Sequence, residues 1–295
     1  MKSANFKYSM IIGLLHVVAL FPLWFLYGCS SALSFVAHRI VRYRLKVVRK
    51  NLRNAFPSKS RKELRKIERR FYRHLCDIII ETIKLLHISD SQLEKRLKLE
   101  NTELIYNIAD SNRPIILFLA HYCNWEWVPA VTLTLSRPKK MGALYKPLRN
   151  KVMNRVTLRL RSRFDSVCIP VKSAYRTLVE MRRQSPSFMI GFIADQRPLG
   201  INIKHWTEFL NQRTSFFAGG ETIGDRINAR YVYLDMERTG RGRYTMTFKE
   251  IKPLEDGEEF PYTRSFFRML EQTIELRPAF WLWSHNRWKP LKINN

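Results

Sequence analysis

Apolar residues follow three patterns along the chain. From Met10 to Ala37 they form a nearly unbroken run, MIIGLLHVVALFPLWFLYGCSSALSFVA, with no Asp, Glu, Lys or Arg from Ser9 onward. At ~1.5 Å of helical rise per residue, such a run can cross a hydrocarbon core of ~30 Å. A membrane-anchor helix is therefore expected over residues 1–38, with Tyr8, Trp24 and Tyr27 at the interface. Pro22 and His16 interrupt the run and leave a re-entrant or interfacial helix pair as the alternative. A cleaved signal peptide fits less well, because the run exceeds a signal h-region and no small-x-small site follows it.

The second pattern is amphipathic. Over residues 39–73, Leu45, Val48, Leu52, Leu64, Ile67 and Phe71 recur at helical spacing among 15 Lys/Arg and two acids, Glu63 and Glu68. This predicts two basic helices around a break at Pro57-Ser58, with Ser58 or Ser60 as N-cap. One or two further helices are expected over 71–98 and a short one over 101–111. The third pattern begins after Arg113-Pro114 with the short, β-branched run Ile115–Ala120, which reads as a buried strand. From there strands and helices alternate. Helices are expected near 125–136, 149–163, 173–184, 219–228 and 261–276. Strands are expected near 139–145, 166–171, 188–195, 229–237 and 243–250. Alternation of this kind predicts an α/β fold with a central, mostly parallel sheet flanked by helices. The chain is thus expected to divide into a membrane anchor, 1–38, and a main domain, 39–295, whose first part, 39–100, is basic, helical and membrane-proximal.

Charge sharpens the picture. The 295 residues carry 52 Lys+Arg against 25 Asp+Glu, a net charge of +27. Such a field attracts nucleic acid, anionic membrane, phosphorylated lipid or an acidic carrier protein. The N-terminal run favours the membrane, and no nucleic-acid recognition module is interleaved with the basic residues. Only Lys2 and Lys7 precede the run, whereas Arg39, Arg42, Arg44 and Lys46 follow it, so the positive-inside rule puts the bulk of the protein in the cytoplasm. The four cysteines have no metal-ligand or CxxC spacing, and no metal is expected.

The sharpest candidate for chemistry is His121-Tyr122-Cys123-Asn124-Trp125-Glu126, directly after the buried strand. Sites in open α/β sheets gather at the carboxyl ends of strands. A histidine there suits proton transfer near neutral pH. Glu126, five residues on, is a candidate to orient the ring if a turn lies between them. A Cys123–His121 nucleophilic pair is a weaker rival, and a structural histidine is the bland reading of the spacing. Hydrolysis of a lipid by water is another alternative, without a G-x-S-x-G elbow to support it.

The strand IILFLA followed by HYCNWEW resembles the bacterial lipid A biosynthesis (late) acyltransferases, within the wider H-x4-D/E glycerolipid acyltransferase superfamily. Further blocks fit in order: Tyr145-Lys146-Pro147-Leu148-Arg149-Asn150, Ala194-Asp195-Gln196, and Trp281-Leu282-Trp283-Ser284-His285-Asn286-Arg287-Trp288-Lys289. Lys146 stands where the family pattern has Arg, and Arg197-Pro198-Leu199 departs from it. The resemblance implies a glycerolipid-acyltransferase-like fold. It also implies transfer of a fatty acyl chain from an acyl carrier protein or CoA thioester to a hydroxyl of a phosphorylated glycolipid acceptor. No cofactor is implied beyond that co-substrate. His121 is then the general base and Glu126 its partner. Asn124, Trp125, Lys146, Arg149, Asp195, Gln196, His285 and Arg287 are candidate substrate contacts; for Asp195, ordering an arginine or capping a helix is equally open. A glycerophospholipid, aminolipid or other glycolipid is the alternative acceptor. The site is expected on the cytoplasmic face of the inner membrane, with the helix carrying Arg155, Arg159 and Arg163 available to phosphates or to the carrier protein.

Overall fold

The computed structural model describes residues 2–198, 203–255 and 257–289, without the side chains of residues 2–4 and of residue 162; Leu199 and the side chain of Lys2, used above, lie outside it. Two helices, α1 (Lys2–Leu20) and α2 (Leu23–Phe35), come first, and a single π-helical turn, Val36–Ile40, extends the second. Pro22 lies in the break between them, where a helix cannot run through it. Two basic helices follow, α3 (Leu45–Ala55) and the long α4 (Arg61–Lys84). Ser60 caps α4 in a reciprocal capping box with Glu63, which satisfies two otherwise orphan amides. Then come α5 (Asp90–Glu94), β1 (Leu97–Glu100), α6 (Thr102–Asp110) and β2 (Ile115–Leu119). A 3₁₀ helix, Trp125–Leu133, precedes β3 (Met141–Tyr145), α7 (Lys151–Arg161), β4 (Val167–Pro170), α8 (Ala174–Gln184) and β5 (Met189–Ile193). The chain ends with β6 (His205–Phe209), β7 (Gln212–Phe216), α9 (Gly219–Arg226), β8 (Arg230–Gly240), β9 (Arg243–Glu250) and α10 (Pro261–Leu276).

Seven strands form one sheet in the order β1-β9-β8-β2-β5-β3-β4. Every pairing is parallel except β8 with β9. The α/β, mostly parallel sheet expected from the alternation is therefore present. β2 lies inside the sheet between β8 and β5, and all five of its side chains are buried. That placement explains why its sequence is apolar throughout rather than alternating. Two elements escaped the pattern. β1 has only four residues, and the antiparallel pair β6–β7 is too polar on one face to stand out.

The N-terminal run forms two helices, the arrangement that Pro22 left open, and not one. Among the described residues no single helix is long and apolar enough to cross a membrane; Asn5–Leu20 and Leu23–Ile40 pass that test only as a pair, bent by 115°. The segment is a helical elbow, packed by α2 against α4. Phe6, Met10, Leu14, Val17, Leu20 and Trp24 leave an exposed apolar face along it. Buried charges fasten the elbow to the sheet. Asp77 of α4 accepts from Ser30 of α2 and from Arg238 and Arg241 of the β8–β9 hairpin. Glu81, one turn on, accepts from Tyr27, Tyr244 and Asn124.

Candidate active site

β2 and β5 run parallel in register, with Leu119 opposite Ile193. Two residues beyond each lie His121 and Asp195. Because side chains alternate along strands, both continue the face carrying Leu117, Leu119, Gly191 and Ile193. The carboxylate that reaches His121 is thus supplied from 74 residues away, and it is Asp195. Its Oδ1 lies 2.7 Å from His121 Nδ1, and its Oδ2 accepts the His121 main-chain amide at 3.1 Å. Trp281 Nε1 donates to the same Oδ2 at 2.8 Å. Asp195 is almost wholly buried. Burial alone disfavours its charge, but the facing His121, its ring N–H, the Trp281 indole and the His121 amide together hold the carboxyl below its ordinary range. With Nδ1–H donating to Asp195, the tautomer assigned by these partners leaves Nε2 without a proton, as an acceptor. The Gln196 amide approaches it at 3.2 Å.

Glu126 does not take the orienting role expected of it. Its carboxylate is clamped by Arg161, at 2.9 Å to Nε and 2.6 Å to Nη2, and by the Trp125 indole at 3.1 Å. The reason is local geometry. After His121 the chain turns through Cys123 at φ 49°, then enters the 3₁₀ helix. This points Glu126 toward α7 and not back at the ring. Arg161 is a functional candidate missed at the sequence level; it ends the basic helix, and nothing in spacing distinguishes it from its neighbours.

The other candidates separate clearly. Trp125 meets the His121 ring edge-on, centroids 5.1 Å apart. Asn124 is fully buried and donates to Glu81 at 2.6 Å, so it serves the α4 network and not a substrate surface. Cys123 is also fully buried, its thiol pushed well up by burial, which removes the nucleophilic alternative. Lys146 and Arg149 are solvent-exposed just past β3, at the same sheet end as His121. His285 Nε2 accepts the Arg197 amide at 3.4 Å, and burial lowers the ring to about 4, so it is neutral. Arg287 is a buried strut: it donates to the Ser215 carbonyl and lies over Phe267, which corrects its expected role as a substrate contact. Its burial lowers it to about 10.

The C-terminal block also completes the site's frame. Leu282 N donates to the His121 carbonyl and Cys123 N to that of Phe280, which brings Trp281 against Asp195. The arginine face of α7 is largely occupied internally. Arg155 stacks on Tyr8 at 4.0 Å, and Arg163, two residues past the end of α7, donates to the Leu85 and Ile88 carbonyls and to Asp90.

Beside Glu126 an apolar pocket penetrates between the 3₁₀ helix and the sheet, lined by Leu117, Leu119, Val128, Met141, Gly191 and Ile193 among others. Its free volume is about 60 Å³, well below the ~300–1,000 Å³ of an ordinary ligand site. An imidazole with an unprotonated Nε2, held by a buried carboxylate beside an apolar slot, can activate a hydroxyl next to a fatty chain.

Comparison with known proteins gives the family. The model of the bacterial lipid A biosynthesis acyltransferases matches residues 2–290. The lipid A biosynthesis palmitoleoyltransferase of Escherichia coli (strain K12) is 23% identical over 283 residues, covering 94% of this chain and 89% of that protein. A lipid A biosynthesis acyltransferase of Shigella flexneri matches with the same identity and coverage. The chain belongs to the bacterial lipid A biosynthesis acyltransferase family, and its class of activity is O-acyl transfer.

Proposed function

We propose that this member of the lipid A biosynthesis acyltransferases moves a fatty acyl chain from a carrier thioester to a hydroxyl of a phosphorylated lipid A precursor, with His121 Nε2 as the general base. The observation that carries the reading is the Asp195–His121 pair, two residues past Leu119 and Ile193 of the slot lining and against its Trp125. The acceptor hydroxyl displaces the Gln196 amide from Nε2. Its oxygen attacks the thioester carbonyl while its proton passes to Nε2. Asp195 then faces an imidazolium, which its buried charge stabilises. The tetrahedral intermediate collapses, the C–S bond breaks, and the leaving thiolate recovers the proton from Nε2. No acyl-enzyme is formed. Base catalysis of this kind supplies ~10²–10⁴-fold.

Glu126 has a different task in this scheme. With Arg161 it ties the 3₁₀ helix to α7 along the slot that receives the acyl chain. At about 60 Å³ the slot must widen as the chain enters. The 3₁₀ helix is suited to that movement, because its hydrogen bonds are weaker than α-helical ones and Pro129 lies inside it. The donor is an acyl carrier protein or CoA thioester, and the +27 charge favours the acidic protein.

The bent pair α1–α2 seats the enzyme on the cytoplasmic face of the bacterial inner membrane as an interfacial anchor. Its exposed apolar face and the basic helices after it support this.

The test incubates detergent-purified protein with radiolabelled lipid A precursor, or with glycerophospholipid, aminolipid or other glycolipid acceptors, and a panel of acyl carrier and CoA thioesters. A more hydrophobic lipid A product is expected, absent with His121→Ala. Product from another acceptor alone moves the substrate class, and near-normal turnover by folded His121→Ala removes the base assignment.

A further inference from the structure

The strand pair that carries the site has a second cleft, on its other face. Along β5, Gly191 and Ile193 line the slot beside Glu126, whereas Phe192 points the opposite way into a cleft bounded by α8, α9 and the approach to β6. Leu144 at the end of β3 borders both spaces. The second cleft therefore opens at the same carboxyl rim of the sheet that bears His121 and Asp195. Its free volume, about 370 Å³, is within the range of ligand sites.

Its composition is that of an amphiphile site. Phe192, Ala218, Ile223 and Phe260 supply an apolar floor, and Tyr175 and Phe217, 52% and 46% exposed, form aromatic walls open to solvent. The Phe217 ring lies over the start of α9, where a Cβ on Gly219 would come within 2.1 Å of it; glycine makes that wall possible. Lys172 and Lys204 stand in the lining. Ala218, the N-cap of α9, offers no capping side chain, and Glu221 of the first turn is engaged by the Tyr262 and Thr263 amides outside the cleft lining, so the positive end of that helix adds to theirs. Thr222, the hydroxyl on the α9 wall, already donates to the Ala218 carbonyl. An amide-rich arm would find few partners here, whereas a fatty chain with an anionic head matches both the floor and the lysines.

We propose that this cleft holds an acyl chain of the anionic acceptor lipid, with Lys172 and Lys204 meeting its charged head, while the donor chain occupies the slot beside Glu126. The two chains then approach His121 from opposite faces of β3–β5. The proposal rests on the acyl-transfer reading only for the identity of the lipid.

The test uses the full-length protein in detergent and dodecyl phosphate carrying a terminal diazirine, with photo-adducts located by peptide mass spectrometry. Adducts are expected on the segments bearing Tyr175, Phe217 and Thr222, and an excess of phosphorylated lipid A precursor should suppress them. The double reversal Lys172→Glu/Lys204→Glu should cut them roughly tenfold. Thr222→Trp, at an exposed position, should abolish them in protein whose thermal melt is unchanged. Adducts confined to the donor slot or to α1–α2 overturn the proposal. So does cleft labelling that diazirine-dodecanol matches and that the lysine reversals leave unchanged. Acyl transfer measured on the same wild-type preparation separates the two readings. A labelled cleft in protein that transfers no acyl group to any acceptor removes the reaction and keeps the cleft, and active protein with an unlabelled cleft does the reverse.

Discussion

Replacing Asp195 with Asn probes the account at one atom. Asp195 accepts three hydrogen bonds, two on Oδ2 from the His121 amide and the Trp281 indole, and one on Oδ1 from the His121 ring. An asparagine has one acceptor oxygen. Placed at Oδ2 it keeps two of the three bonds, so this orientation is favoured; its NH₂ then faces Nδ1. Nδ1 must accept, the proton moves to Nε2, and the base loses its lone pair. The imidazolium that forms in the reaction also loses its facing charge. The combined loss is expected at ~10²–10⁴-fold in kcat, equivalent to about 3–5 kcal/mol of barrier. The near-isosteric change keeps the fold, so KM for the acyl donor should move little. The assay is initial-rate acyl transfer by the detergent-purified protein at saturating donor, with circular dichroism to establish folding. A folded Asp195→Asn enzyme within threefold of wild type would refute the reasoning.

Other expectations follow from the same geometry. Glu126→Ala leaves Arg161 partly buried and unpaired, which should cost about 3 kcal/mol and lower the melting temperature by several degrees; Arg161→Ala should do the same, and the double mutant should be far from additive. Gly191→Ala places a Cβ 2.9 Å from Leu119 Cδ1 inside the donor slot, so competition assays should show preference shifting toward shorter thioesters; at Gly142 the Cβ meets the Val167 carbonyl at 2.4 Å, so Gly142→Ala should instead break the β3–β4 pairing and appear as a lower melting temperature. Burial lowers His74 to about 3 and His285 to about 4. Since both fall below the ~6.5 of an unfolded histidine, the unfolded chain takes up these protons first, and stability should drop as pH falls from about 6.5 toward about 4 for His285 and about 3 for His74. Denaturant titrations should show that fall beginning above the carboxylate range, and His74→Gln should reduce it.

Much of the frame could be read from residue order, because the apolar runs at Ile115–Ala120 and Phe188–Asp195 are too short for helices and too apolar for exposed strands. The N-cap at Ser58 or Ser60 and the break before it were equally local; the structure gives the cap to Ser60. What stayed hidden was non-local. That β2 and β5 are neighbours in register is a property of the sheet, and only that register brings Asp195 to His121. Sequence adjacency pointed instead to Glu126, whose direction depends on one positive-φ residue, Cys123, and a 3₁₀ turn. The same limit applies to Trp281, which is recognisable as part of a tryptophan-rich block yet acquires its partner only when residues 280–282 lie against residues 121–123. The N-terminal run was apolar enough to suggest a span, and Pro22 left a helix pair open, but the 115° between the two helices is nothing that residue order encodes.

The most direct test of which carboxylate holds the base is the tautomer of His121 itself. Protein labelled with ¹⁵N at its seven histidines, with His121 assigned by its absence in His121→Ala, reports which ring nitrogen carries the proton. The account predicts a protonated Nδ1 and a bare Nε2 at neutral pH, reversed by Asp195→Asn and unmoved by Glu126→Gln. A protonated Nε2 in the wild type, or a tautomer that responds to Glu126→Gln and ignores Asp195→Asn, would contradict it.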